Sequence, residues 1–473
     1  MRLLVPIALS VLVVTAVLLV SPNFRPERGP DAIPYAGDFL HEWIGGYVIR
    51  AGDPARLYDR EYTTALQHDP SLVGFEFRRD AYLPMVYPPF YYVLVSPLSA
   101  LPFRVGAGVW VAFSLACLVT SLGLLGIAVR PGGSLDVLGG ETDASLATMW
   151  ALVRRWAIPA AFAFGPVIEN LVSSQKGAVP LLVLTVTFLL MRRGDRFAAG
   201  LVFGLQAFKP QLAIVIPIAM LAKREWRFVA GSGSSMLGLA GLSLAVGLVP
   251  CADYLRFVTG VADYVGAQPA YLHREQCLYG FFTLLAGGPT TAARIATVVA
   301  GAVTVYLLVR LLAGPLETDQ PRFLAQFAGL VLATALLSPH VLTYDLTMLL
   351  LPLWLTTILL FRGFFDSSLR RAAFWLVVAL YAGCALSPMV AERTGIPFSV
   401  PVMMALLALL SRFHLQRVGG NTSEPSGDQR RVEIKVGAAG ASHLPVSARR
   451  QSISSESPSV TSRWRSRLTR SPV

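Results

Sequence analysis

The chain is predicted to be all-α: a polytopic membrane helical bundle of about twelve transmembrane helices with a large first extracytoplasmic loop. Three observations predict it. Of 473 residues, 54% are hydrophobic and 14% charged, against about 25% charged in soluble domains, and mean hydropathy is +0.57. Apolar runs close to the ~20 residues that cross a bilayer as a helix recur from Phe103 onward. Pro and Gly interrupt those runs, and because each segment in lipid must satisfy its own backbone, helices are favoured over a barrel.

Residues 1–20 are expected to form the first transmembrane helix. Arg2 precedes an apolar run from Leu3 to Val20, and no small-x-small cleavage site follows it, so the run reads as a retained helix rather than a signal peptide. Residues 21–102 are too charged to span and too rich in Tyr, Trp and Pro for disorder, which predicts a folded extracytoplasmic loop with interfacial helices. The bundle is expected over 103–413, with spans near 103–129, 156–172, 177–191, 197–209, 211–222, 228–249, 292–312, 323–338, 342–361, 372–390 and 398–413. Residues 414–473 mix Ser, Arg, Pro and Gly with few apolar residues and are expected to be a disordered basic cytoplasmic tail.

The formal net charge of +12 does not point to nucleic acid. Residues 417–473 hold ten Lys/Arg and four Asp/Glu, which accounts for half of it. Arg463, Arg465, Arg467 and Arg470 around Trp464 suit anionic lipid. The remaining cations gather at Arg154-Arg155, Arg192-Arg193, Lys223-Arg224, Arg362 with Arg370-Arg371, and Arg412 with Arg417, all on one side of the expected topology. By the positive-inside rule that side is cytoplasmic, which leaves 21–102, 173–176, 250–291, 339–341 and 391–397 outside and both termini inside. The chain is expected in a plasma (inner) membrane. Asn421-Thr422-Ser423 matches a glycosylation sequon, on the wrong side for its use.

Cys117, Cys251, Cys277 and Cys384 show no metal-ligand spacing. Cys251 and Cys277 share one external region, where a disulfide is one alternative and free thiols the other.

Polar residues near span ends converge on the outer side: Asp38, Glu42, Asn170, Gln175, Lys176, Lys209, Gln211, Gln276, His340 and Asp345. Ionisable groups at membrane depth are costly and usually face a cavity or a partner. They are expected to line one cavity, with Tyr87, Tyr279 and Tyr344 beside them. Lys209, followed by Pro210 and Gln211, marks a broken helix where an ammonium can reach a lipid phosphate, snorkelling to headgroups being the alternative. His340 and Tyr344 share a face if a helix starts at Pro339. His340 can then bind phosphate or sugar and share proton transfer, or it can be a capping residue held by Asp345. Tyr87-Pro88-Pro89 opens an amphipathic stretch ending at Pro102, either lying in the interface to guide a prenyl chain or packing on the bundle. Asp53 and Asp59 read as loop structure, and so, as the alternative to a cavity role, does Glu42.

Five segments in order, GDFLHEWIGGYVIRAGDPARLYD, VYPPFYYVLVSPLSALP, FKPQLAIVIPIAMLAKREWR, QCLYGF and LLSPHVLTYDLTMLLLP, resemble the successive blocks of glycosyltransferase family 87. The resemblance covers about residues 30–360 and implies a GT-C fold and an inverting, polyprenyl-phosphate-sugar-dependent hexosyltransferase, mannose being the expected sugar. It also implies that Asp38 is the catalytic base. Without it, Asp38 reads as an N-cap opening a helix at Phe39. The two roles conflict, because capping hydrogen bonds lower a carboxylate's pKa and weaken it as a base.

Such an enzyme needs a base for the acceptor hydroxyl and a cation for the departing phosphate. A lipid-phosphate sugar carries its own leaving group, so neither a nucleotide fold nor a metal for a diphosphate is required. The sequence contains no GxGxxG unit, Walker loop or DxD pair. Asp38 and His340 are the catalytic candidates, Lys209 and Gln211 the phosphate ligands, and no cofactor is expected. The expected partners are a polyprenyl-phosphate sugar donor, a glycolipid or glycan acceptor, and membrane lipids. The rivals are a membrane transporter, for which no paired inverted repeats are found, and a non-catalytic scaffold for lipid-linked sugars.

Overall fold

The computed structural model of the protein describes residues 35–78, 80–129, 143–266 and 272–419. The expected first helix over 1–20 and the expected tail beyond residue 419 lie outside the described residues. Within them the chain is helical, with one isolated antiparallel bridge between Glu275 and Leu342.

The first loop folds into four short helices, α1 (Phe39–Arg50), α2 (Arg60–Gln67), α3 (Pro70–Val73) and α4 (Pro89–Val95), with 3-10 turns at Pro54–Arg56 and Ser96–Ala100. Short-range capping makes them possible: the Asp59 carboxylate accepts from the Tyr62 amide at 3.1 Å and Asp69 from Ser71 at 2.9 Å. What holds the helices together is an aromatic core. Phe39 stacks on Trp110 at 5.6 Å and on Phe103 at 6.2 Å, so the loop is anchored to the start of the first long helix. α4 buries Phe90, Tyr91, Tyr92 and Val95 in the same core, which makes the 87–102 stretch a packing element.

The bundle follows as α5 (Phe103–Ala128), α6 (Asp143–Ala163), α7 (Gly165–Val172), α8 (Ala178–Arg192), α9 (Arg196–Gly204), α10 (Val215–Ala222), α11 (Trp226–Val246), α12 (Leu248–Gly266), α13 (Leu278–Leu285), α14 (Thr291–Leu312), α15 (Pro321–Leu337), α16 (Leu350–Phe361), α17 (Ser367–Thr394) and α18 (Ser399–Gly419). Among the described residues, five helices are long and apolar enough to cross a membrane: Phe103–Ala128, Trp226–Val246, Thr291–Leu312, Thr343–Phe361 and Ser367–Thr394. Five more apolar helices have 10–17 residues. About twelve spans were expected over the whole chain, the first of them outside the described residues; where an expected span is not one long helix, interrupting residues break the run. The expected span at 156–172 is two helices that meet at Phe164, with Pro166 in the first turn of the second. The stretch 250–291, expected on the outer side, holds most of α12 and all of α13, and α18 continues past residue 413.

α15 forms the deepest part of the core and buries almost every side chain it carries. α9 and α11 cross where Gly200 meets the Phe228 backbone and Gly231 the Phe197 backbone, so neither position has room for a Cβ. Small residues allow backbones to approach, a principal means of packing helices in lipid. α8 separates two polar zones. At its end Arg192 donates to the Thr318 carbonyl at 2.7 Å, near the Lys223 contact with the Leu312 carbonyl at 2.9 Å. Lys176 lies just before its start.

Candidate active site

Three breaks in helical structure bring the polar residues together. The turn 173–177 separates α7 from α8. Lys209 lies between 3-10 turns Leu205–Phe208 and Pro210–Leu212, with φ −121° and ψ 79°. Residues 338–342 run non-helically from α15 to the 3-10 helix Thr343–Leu349. That 3-10 helix starts at Thr343, so the expected helix from Pro339, which would have put His340 and Tyr344 one turn apart, does not form. The bridge between Leu342 and Glu275 keeps this segment extended.

Asp38 occupies the N-cap position of α1 but makes no side-chain capping hydrogen bond. Its carboxylate accepts instead from Nε2 of Gln175. The turn before it explains the geometry. Gly37 has φ +57°, and a Cβ there would stand 2.9 Å from the Ser173 carbonyl oxygen, so only glycine lets α1 begin this close to the 173–177 turn. Burial pushes the Asp38 carboxyl above its ordinary value, with Lys176 and then Arg274 pulling the other way.

Behind Asp38, Glu42 and Lys176 form a fully buried ion pair. Tyr91 donates its hydroxyl to the second Glu42 oxygen. Lys176 stands 4.2 Å over the Tyr87 ring centroid and 3.4 Å from Oε1 of Gln175, which joins the pair to Asp38 through one amide. Asn170 secures the turn, accepting from the Gly177 amide at 2.5 Å and donating to Ser114 at 2.9 Å. His41, also buried, stacks on Tyr87 at 5.7 Å, with neither ring nitrogen in a well-formed hydrogen bond. Sequence reasoning passed over it.

A cavity of about 360 Å³ is lined by Tyr87, Phe208, Lys209, Gln211, Tyr254, Phe257, His340, Tyr344 and Asp345, among others. Six of the expected residues thus meet there. Asp38, Glu42, Gln175 and Lys176 are not in that wall; they meet it through Tyr87. Lys209 is ion-paired with Asp345 and lies 4.9 Å from the Tyr344 ring centroid, so the open ammonium expected from sequence has an internal partner.

His340 is held by Glu275, not by Asp345: its Nδ1 is 2.5 Å from one Glu275 oxygen, and the Val341 amide donates to the other at 3.2 Å. Burial, which lowers the imidazole pKa, is outweighed by Glu275, which holds it above the ordinary value. Arg274 pairs with Glu169 close by. Glu169, Arg274 and Glu275 were missed; the visible signal was two charges, Arg274-Glu275, directly before the QCLYGF block. Gln276 does not line the cavity, because its side-chain oxygen accepts from Ser387 at 2.8 Å and from Ser399. Tyr279 packs against the bundle core. Cys251 and Cys277 are free thiols, the first donating to the Ser243 carbonyl at 3.3 Å and the second accepting from the Gly280 amide at 3.4 Å at the start of α13.

The chain is similar to the polyprenol-phosphate-mannose-dependent alpha-(1-2)-phosphatidylinositol pentamannoside mannosyltransferase of Mycolicibacterium smegmatis, with 26% identity over 236 residues, 50% of each chain. It thus spans about half the length of that curated relative. No solved structure matches it. The model of glycosyltransferase family 87 matches residues 85–339, which include Tyr87, Gln175, Lys176 and Lys209 and begin beyond Asp38. That match covers more than half of the sequence, and the chain belongs to glycosyltransferase family 87.

Proposed function

We propose that the protein transfers a hexose, mannose by analogy with the relative's name, from a polyprenyl-phosphate sugar to a glycolipid or glycan acceptor at the outer face of the plasma membrane. Asp38 removes the proton from the acceptor hydroxyl. That oxygen attacks the anomeric carbon from the face opposite the phosphate, the carbon–phosphate-oxygen bond breaks, and polyprenyl phosphate leaves with the electron pair. The configuration inverts. Lys209 and Gln211, with His340 in its protonated form, stabilise the departing anion. The leaving group is already a phosphate, so the proposed reaction requires no metal.

The observation that carries this reading is the orientation of the Asp38 carboxylate. It leaves its helix uncapped, keeps partial exposure, and is held by Gln175 in surroundings that raise its proton affinity, as a base needs. A cavity lined by Lys209 and His340 lies on the other side of Tyr87.

The test is transfer of radiolabelled mannose from polyprenyl-phosphate-mannose to a host lipid extract, in membranes containing wild type or Asp38→Asn at equal abundance. A product made by wild type and reduced by about 10²–10⁴-fold in the variant is expected. Equal transfer by both removes Asp38 from the chemistry, whereas transfer by neither favours a scaffold or transporter.

A further inference from the structure

A second cavity, of about 520 Å³, lies between the first loop and α12. Its walls include the rings of Tyr58, Tyr82 and Phe257 and the charged side chains of Arg60, Asp80, Asp253 and Arg256. The volume falls within the ~300–1,000 Å³ typical of ligand pockets, large enough for more than one sugar ring. Two arginines and two aspartates leave it formally neutral, a poor match for a phosphate headgroup. Aromatic faces beside paired carboxylates and guanidinium groups suit a neutral polyol. The rings pack on the C–H faces of a sugar, the aspartates accept from its hydroxyls and the arginines donate to them.

This cavity adjoins the first. Phe257 lines both. Tyr58 sets its ring 6.1 Å from Tyr254 of the first cavity and donates its hydroxyl to the Tyr87 carbonyl at 2.5 Å. The two spaces therefore share a wall of Tyr58, Tyr254 and Phe257. We infer that the second cavity is the acceptor subsite, holding the inner sugars of an oligosaccharide headgroup while its terminal sugar reaches toward Tyr87 and Asp38. This rests on the glycosyl-transfer reading above.

The charges that would do the binding do little for the fold. Asp80 pairs with exposed Arg78 at 2.9 Å, and Asp253 pairs with exposed Arg256 one turn on at 2.5 Å; such pairs add little to stability. The experiment measures acceptor KM for the full chain in membranes, with radiolabelled polyprenyl-phosphate-mannose and synthetic octyl mannosides of one, two and three sugars. In wild type, KM should fall at least tenfold from one sugar to three. In Asp80→Asn/Arg256→Ala that ratio should collapse to near one, whereas Arg56→Ala, exposed on the same loop outside the cavity, should keep it. The ratio is insensitive to a general loss of active protein. A wild-type KM indifferent to acceptor length, or a double variant that keeps the wild-type ratio, overturns the subsite and leaves glycosyl transfer standing. Wild type that transfers to no acceptor, the host lipid extract included, overturns both.

Discussion

The Asp38 carboxylate accepts a hydrogen bond from Gln175, a residue 137 positions further along the chain, and the helix that Asp38 opens goes without its cap. A carboxylate turned away from its own helix toward a neighbouring turn suits the base role proposed for it. The amide holding it both aims it and favours its ionised form.

Gln175→Leu removes that hydrogen bond and keeps most of the volume. Burial already raises the Asp38 pKa, and the Gln175 bond is among the contacts opposing the rise. Loss of the bond therefore raises it further. Because the base must be ionised, the acidic limb of the kcat/KM profile should move to higher pH, with kcat at the optimum falling about tenfold, within the range of one charge-assisted hydrogen bond. An unmoved limb would mean that Gln175 does not act through Asp38.

Glu42 and Lys176 are each fully buried and oppositely charged. Replacing one leaves the other without a counter-charge, at a cost of about 3–5 kcal/mol. Lys176→Met and Glu42→Gln should each lower the temperature of half-inactivation, and the double variant should recover most of the loss. Additive losses in a double-mutant cycle would argue against direct pairing.

His340 should set the alkaline limb. Its folded pKa is raised, so its protonated form persists above the ordinary value near 6.5 and is lost as pH rises through the raised one. Glu275→Gln removes the charge that raises it, and the alkaline limb should move to lower pH while the acidic limb, set by Asp38, stays in place. If instead the acidic limb shifts, the two assignments must be exchanged.

Gly37→Ala adds a methyl where the backbone is left-handed and the Ser173 carbonyl is in contact. The conformational cost is about 1–2 kcal/mol, and relieving the contact requires Asp38 to move away from Gln175. Transfer should fall more steeply than stability, which is checked by comparing kcat with thermal inactivation of the same preparations. Equal falls would make Gly37 a folding residue only.

Apolar length and punctuation made much of the bundle legible. A described helix stands at every span expected from Phe103 onward, and the break at Lys209-Pro210 was visible because proline cannot continue a helix. Pairings were not legible. One reading had His340 held by Asp345, five residues away, whereas its partner is Glu275, 65 positions back. Sequence displays neighbours along the chain, and a buried charge takes whichever opposite charge the fold brings close. Lys209 shows the same thing, since a lone cation in a proline break looks available until its carboxylate is found 136 positions away. Helix breaks misled for another reason: the extended run 338–342 depends on the bridge to Glu275, a contact with no local sequence cue.

The Lys209–Asp345 pair means that the cavity is already electrically balanced before any substrate arrives. An incoming phosphate on the proposed route must share or take over an ammonium that a resident carboxylate already holds, so its net gain is reduced by that competition. Such a seat discriminates. Small anions, with nothing but charge to offer, compete poorly against a carboxylate fixed to the chain, whereas a donor that also contributes a sugar and a prenyl chain brings the additional contacts that tip the competition. Departure is helped by the same arrangement, because Asp345 remains beside the ammonium, ready to take back its place as the spent lipid leaves.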